Sequence, residues 1–130
     1  MNCAVRYYSR SGNTKLVADE IARSLDIKAV SVDDPASKIN KPVDVLFIGG
    51  ALYAYGIDNH LKTYLKELDG QKVKKAVVFS TSWISKHAIE VIKEELKKKG
   101  IQVTDQVFYV RGKATDAQIR EAHQFARKML

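Results

Sequence analysis

Short apolar runs alternate with stretches of helical apolar spacing along this 130-residue chain, which restricts it to strands and helices taken in turn. Cys3–Tyr8 is the first apolar run, and Val17, Ile21 and Leu25 then recur at helical steps. Ile27–Val32 reads as a second, half-alternating strand, broken by Asp33-Asp34-Pro35. Val43–Ile48 is almost continuously apolar and ends in Gly49-Gly50, before Ile57, Leu61, Leu65 and Leu68 mark another helix. Ala76–Phe79 leads into Ser80-Thr81-Ser82. Ile89, Ile92 and Leu96 form a third helix, which closes on Lys97-Lys98-Lys99 and Gly100, cations followed by a glycine stop. Ile101–Val110 reads as a fifth strand. Thr115-Asp116-Ala117-Gln118 has the form of a capping box opening a fourth helix through Ile119, Ala122 and Ala126.

Strands that are apolar throughout need cover on both faces, which means a parallel sheet between two helical layers. The expected architecture is a three-layer, doubly wound α/β fold with five parallel strands in the order 2-1-3-4-5. The second and third strands are joined by the Pro35–Pro42 loop instead of a helix. Residues 1–130 fit one domain, and no repeat, low-complexity segment or linker interrupts them. In such a sheet the ligand site lies outside the carboxyl ends of the strands. Three loops share that rim: residues 9–14, 50–56 and 80–86.

The first of them, in Tyr8-Ser9-Arg10-Ser11-Gly12-Asn13-Thr14, is short, rich in hydroxyls, and carries one glycine where the backbone must turn. Such a loop offers successive N–H groups at a helix N-terminus, where the helix dipole favours negative charge. A plain N-cap needs one polar residue. The set Ser9, Ser11, Gly12, Asn13 and Thr14 suits a terminal phosphate dianion. Neither Gly-x4-Gly-Lys-Ser/Thr nor Gly-x-Gly-x-x-Gly occurs, so the other common phosphate loops are excluded. A low-molecular-weight tyrosine phosphatase needs a loop cysteine, but Cys3 begins a strand and is separated from Arg10 by six residues. A response-regulator receiver needs an acidic pocket at the strand ends. Here the first loop has no acid and the third strand ends in Gly49-Gly50.

The run Ser9-Arg10-Ser11-Gly12-Asn13-Thr14 resembles the phosphate loop of flavodoxins, Thr/Ser-x-Ser/Thr-Gly-Asn-Thr, and the order of elements follows that family over essentially the whole chain. The resemblance implies non-covalently held FMN. Ser9, Ser11, Gly12, Asn13 and Thr14 would wrap its ribityl phosphate, with Arg10 contributing a backbone N–H. The second loop, Gly50-Ala51-Leu52-Tyr53-Ala54-Tyr55-Gly56, sets two tyrosines at alternate positions, suited to covering a flat apolar ring. Gly56 tolerates positive φ, and the resemblance assigns a backbone rearrangement beside the flavin N5 to Tyr55-Gly56. Ala51, Leu52 and Ala54 are candidate contacts beside them. The third loop, Ser80-Thr81-Ser82-Trp83-Ile84-Ser85-Lys86, holds the single tryptophan, expected to cover either the ring or the rim of the core. Ser80, Thr81 and Ser82 offer hydroxyls toward the ring edge or the ribityl chain. The Tyr and Gly-Asp pair frequent in the family's third loop are missing.

A chain of this size leaves little room for a separate substrate domain, so the cofactor carries the chemistry. The leading expectation is electron transfer through FMN. Typical carrier flavodoxins are acidic, whereas this chain has a net charge of +7. Residues 1–65 carry 8 Lys/Arg against 7 Asp/Glu, and residues 66–130 carry 14 against 8. That excess either solvates element ends or steers toward an acidic partner or an anionic membrane surface. No aromatic-interleaved basic motif supports nucleic-acid binding.

The second loop is also similar to the Gly-Ala-x-x-x-Tyr-Gly loop of menaquinone-dependent protoporphyrinogen dehydrogenases, which makes a small FMN-dependent oxidoreductase the alternative. Those proteins usually have a long extra loop near the last strand, for which Phe108–Thr115 leaves no room. A flavin-free interaction module of the same fold is the third reading, and the intact Ser-Gly-Asn-Thr run opposes it. His60, His87 and His123 lack metal-ligand spacing and read as surface or rim residues. A lone cysteine, no apolar run of membrane length and no secretory-signal pattern lead to a cytoplasmic expectation.

Overall fold

A computed structural model describes residues 1–54 and 56–130. In chain order its elements are β1 (Cys3–Tyr7), α1 (Asn13–Ser24), β2 (Ala29–Ser31), a 3-10 turn (Pro35–Ser37) and β3 (Val43–Gly50). The short strands β4 (Leu52–Tyr53) and β5 (Gly56–Ile57) follow, then α2 (Asn59–Glu67), a second 3-10 turn (Gly70–Lys72) and β6 (Val73–Ser80). The chain continues through α3 (His87–Lys98), β7 (Gln102–Val103), β8 (Phe108–Tyr109) and α4 (Asp116–Lys128).

Side chains of a strand alternate between the two faces of its sheet, and here both alternating sets are apolar. Ala4, Leu46, Ile48, Ala76 and Val78 meet Leu61 and Leu65 of α2 and Ile89, Ile92 and Leu96 of α3. Val5, Tyr7, Val45, Phe47, Val77 and Phe79 meet Val17 and Ile21 of α1 and Ala122 and Ala126 of α4. Two cores therefore sandwich the sheet, which is the three-layer arrangement expected from the continuous apolar runs. Fully burying one such Leu, Ile or Phe side chain contributes about 1.5–3 kcal/mol before chain entropy is subtracted.

The sheet is parallel, with β1 between β2 and β3, and β6 beyond β3. The fifth position is shared: β7 pairs with Lys75-Ala76 at the start of β6, and β8 with Phe79-Ser80 at its end. The order of sheet positions is thus the expected one, but the fifth strand, read as continuous from Ile101 to Val110, is broken. Thr104 turns back on itself, its hydroxyl donating to the Gln106 carbonyl at 2.9 Å. Between β2 and β3 the link contains only the 3-10 turn, as the prolines indicate.

Helix ends follow the local chemistry. Thr115 and Gln118 form both bonds of the capping box. At the end of α3, Gly100 stands at φ +76° and donates to the Lys97 carbonyl, while Ile101 donates to that of Leu96. This pair of bonds is the Schellman stop. The end of α1 repeats it with Asp26, at φ +58°, in the glycine position.

Strand register brings the rim into line. Tyr7 pairs with Gly49, Gly49 with Phe79, and Phe79 with Phe108, so β1, β3, β6 and β8 end level. Gly49 is needed for this packing, because a Cβ there would lie 2.4 Å from two ring carbons of Phe79.

Candidate functional site

The first loop leaves β1 and turns into α1 through Gly12, which sits at φ +92° as the N-cap residue. No side chain caps that helix end among the described residues. Instead the loop braces itself, since the Gly12 N–H donates to Ser9 Oγ at 3.0 Å and the Asn13 N–H lies 3.5 Å from Ser11 Oγ. First-turn N–H groups of α1 lie beside Ser11 and Asn13, and a helix N-terminus of this kind attracts an anion.

Two contacts tie this loop to the other two. Thr14 Oγ1 and Thr81 Oγ1 are 2.6 Å apart and buried, joining α1 to the third loop. On the other side, Arg10 reaches the second loop with its side chain. Its guanidinium lies 3.8 Å from the centre of the Tyr53 ring and pairs with Asp58 Oδ2 through Nε at 2.8 Å and Nη2 at 2.7 Å.

Asp58 caps α2, accepting the His60 N–H at 2.7 Å and meeting His60 Nδ1 at 2.8 Å on the same oxygen. The His60 ring in turn stacks on Tyr8, with centroids 4.7 Å apart and planes 11° from parallel. Burial pushes the Asp58 carboxyl up, but the His60 N–H, the Arg10 guanidinium and the His60 ring outweigh it and hold it below the ordinary carboxylate value. The Tyr53 phenol is raised by burial, against the opposing pull of Arg10. Asp58, His60 and Tyr8 were not legible as site residues. The one signal present was an aspartate placed to cap α2, and it carries no hint of the distant Arg10.

The second loop contains the antiparallel pair β4–β5, with Leu52 opposite Ile57 and Tyr53 opposite Gly56. Ala51, Leu52 and Tyr53 are half-buried, Ala54 is exposed, and Gly56 stands at φ +109°. Tyr55 lies outside the described residues. In the third loop Ser80, Thr81 and Ser82 are buried. The Ser80 hydroxyl has no hydrogen-bond partner among the described residues, and the Ser82 carbonyl accepts the Tyr109 hydroxyl at 2.6 Å. Trp83 is 64% exposed and leans on Gly112, where a Cβ would lie 2.2 Å from the indole. It is not a residue of the core rim.

The expected site residues that the structure describes therefore gather at one end of the sheet, on three loops bridged by Thr14–Thr81 and by Arg10 with Tyr53 and Asp58. Concavities of about 340 and 560 Å³ lie elsewhere, against α1 and the Pro35–Ser37 turn, and one of about 350 Å³ on α2 borders the site at His60. No group of three or more His, Cys, Asp or Glu stands at metal-binding distance among the described residues.

A family model for a flavodoxin domain matches residues 4–130. Among solved structures, a flavodoxin from the domain Archaea superposes with a TM-score of 0.86 at 22% identity, over 99% of this chain and 96% of the other. Flavodoxin 1 from Bacillus cereus gives 0.79 at 20% identity, over 98% and 96%. The rubredoxin oxygen:oxidoreductase of Desulfovibrio gigas gives 0.83 at 18% identity, over 96% of this chain but only 34% of that one. No curated protein matches in sequence. Among the described residues, no helix is long and apolar enough to cross a membrane.

Proposed function

The chain belongs to the flavodoxin domain family, and from that premise we propose that it holds FMN at the carboxyl ends of β1, β3 and β6 and works as an electron carrier. The N-terminus of α1 is the observation that carries this reading. Gly12 opens the helix in a left-handed conformation with no side chain capping it among the described residues, which leaves first-turn N–H groups for a ligand. Gly12 and Gly56 both stand at positive φ with open space where a Cβ would point, as a cradle requires.

The residues present fit a phosphate monoester joined to a flat ring. Ser9, Ser11, Asn13 and the backbone of Gly12 and Thr14 would hold the phosphate. Tyr53 would flank the ring, with Ala51, Leu52, Ala54 and Gly56 along one edge and Thr81 and Ser82 along the other. Bound FMN supplies a chemistry no side chain here offers, the uptake and release of electrons.

The chain's own part is positional and electrostatic. The Thr14–Thr81 bond pins the phosphate loop to the third loop, and Arg10 sets a permanent cation against Tyr53, held there by Asp58. The short link from Val110 to Thr115 between β8 and α4 adds no segment that would enclose a substrate, which favours a carrier over a dehydrogenase. The lone cysteine fits a reducing compartment, and we place the carrier in the cytoplasm.

Titration of the protein into FMN tests this. Flavin fluorescence should be quenched with 1:1 stoichiometry, and Asn13→Ala should weaken binding about tenfold. No quenching up to about 100 µM, a binding free energy weaker than about 5.5 kcal/mol, overturns the proposal.

A further inference from the structure

Two large apolar side chains stand side by side in solvent on the third loop. Trp83 and Ile84 are 64% and 66% exposed. The other large apolar residues exposed among those described are Met1, Leu16 and Leu130, two of them at the chain ends. Isolated exposed apolar residues are ordinary, whereas contiguous exposed apolar surface rimmed by polar residues marks interaction sites.

The surroundings of this pair are basic. Trp83 packs on Gly112, whose neighbours Arg111 and Lys113 are both exposed. Lys86 Nζ lies 5.4 Å from the centre of the Tyr109 ring, and the Tyr109 hydroxyl donates to the Ser82 carbonyl. These contacts make the third loop and the β8–α4 link one continuous surface. Residues 80–89 and 106–115 contain no Asp or Glu. Lys86, Arg111 and Lys113 form no ion pair among the described residues.

We propose that this surface docks an acidic electron-transfer protein, with Trp83 and Ile84 as the apolar centre and Lys86, Arg111 and Lys113 as the charged rim. An aromatic centre ringed by unpaired charges of one sign is the anatomy of a steered protein interface. A membrane is the weaker fit. Each Lys or Arg contributes about 1 kcal/mol at an anionic surface, and clusters of about four to eight are needed. Three cations fall short of that. That the partner carries electrons rests on the flavin reading. The charge and location of the docking face do not.

The experiment follows backbone amides and the Trp83 indole N–H of ¹⁵N-labelled protein by NMR. Zinc-substituted rubredoxin serves as the acidic probe, cytochrome c as the basic one, and phosphatidylglycerol vesicles as the membrane. The titration is run without flavin and repeated with FMN, so a failure of flavin binding leaves the docking result readable. Rubredoxin should shift the signals of residues 82–87 and 111–113 to saturation, and cytochrome c should not. Raising the salt from about 20 to about 200 mM should weaken the complex about tenfold. Arg111→Glu/Lys113→Glu should also weaken it at least tenfold, and Ile84→Ser several-fold. Shifts scattered over all lysines, indifference to the double reversal, no shifts at all, or tighter binding to vesicles than to rubredoxin would each overturn the proposal.

Discussion

Thr14 and Thr81, 67 positions apart in the chain, share a 2.6 Å hydrogen bond between their hydroxyls in a buried space. One hydroxyl belongs to the first turn of α1 and the other to the loop after β6, so the bond joins two walls of the candidate site. Thr81→Val keeps the shape and leaves the Thr14 hydroxyl buried without a partner, at an expected cost of about 1–3 kcal/mol. Thr14→Val/Thr81→Val should cost less than the sum of the single changes. A double-mutant cycle read by urea denaturation measures this, and strict additivity would mean that the bond contributes nothing.

Gly12 and Gly49 should resist alanine for different reasons. At Gly49 the new Cβ would meet the Phe79 ring at 2.4 Å and the Phe79 carbonyl oxygen at 2.6 Å. With backbone as one of the obstacles, Gly49→Ala should cost 2 kcal/mol or more, about the middle of the usual overpacking range or above. At Gly12 nothing obstructs the Cβ, and only φ +92° resists it. Gly12→Ala should therefore fold, at a cost of about 1–2 kcal/mol, and lose affinity for phosphate-bearing flavin. Thermal melts compare the two variants directly.

Asp26 occupies the left-handed position that ends α1, at φ +58°. Its backbone bond to Arg23 and that of Ile27 to Ala22 survive a change of side chain. Asp26→Gly should raise stability by about 0.5–1 kcal/mol by removing the left-handed strain. A lower melting temperature for this variant would show that the aspartate side chain earns its place by another contact.

Acid should loosen the site and the α1–α4 contact together. Burial pushes the Glu20 carboxyl up, but bonds from Arg23 and His123 outweigh it and leave the group below its ordinary value. Asp58 is lowered in the same way. A carboxylate depressed in the folded state adds stability above its unfolded pKa, and that stability is lost as pH falls through the folded one. Stability should hold from neutrality down to about pH 4 and fall below it. Asp58→Asn should flatten part of that decline, and melting curves from pH 7 to pH 3 test it.

Much of this was readable from local pattern. The four helices, the order of sheet positions, the capping box at Thr115 and the glycine stop at Gly100 each depend on residues a few positions apart, and such signals survive in one dimension. What escaped reading depends on distance or on small conformational choices. The break at residues 104–107 follows from a Thr104 turn inside a run that still looks like a strand. The pair β4–β5 is only two residues on each side. Arg10 was read as a backbone donor, but its side chain finds Asp58, 48 positions away, and nothing near Arg10 in the chain announces that partner. Trp83 resisted assignment because a lone aromatic in a loop looks the same in sequence whether it covers a flavin ring or the rim of the core.

The most direct measurement is the ratio of FMN to riboflavin affinity, both titrated against the same protein by flavin fluorescence. A phosphate loop at Ser9–Thr14 requires FMN to bind at least about a hundredfold more tightly, a difference of about 2.8 kcal/mol, and Asn13→Ala to reduce that ratio about tenfold. Equal affinity for the two flavins, unchanged by Asn13→Ala, would mean that the loop holds no phosphate and would contradict the central claim.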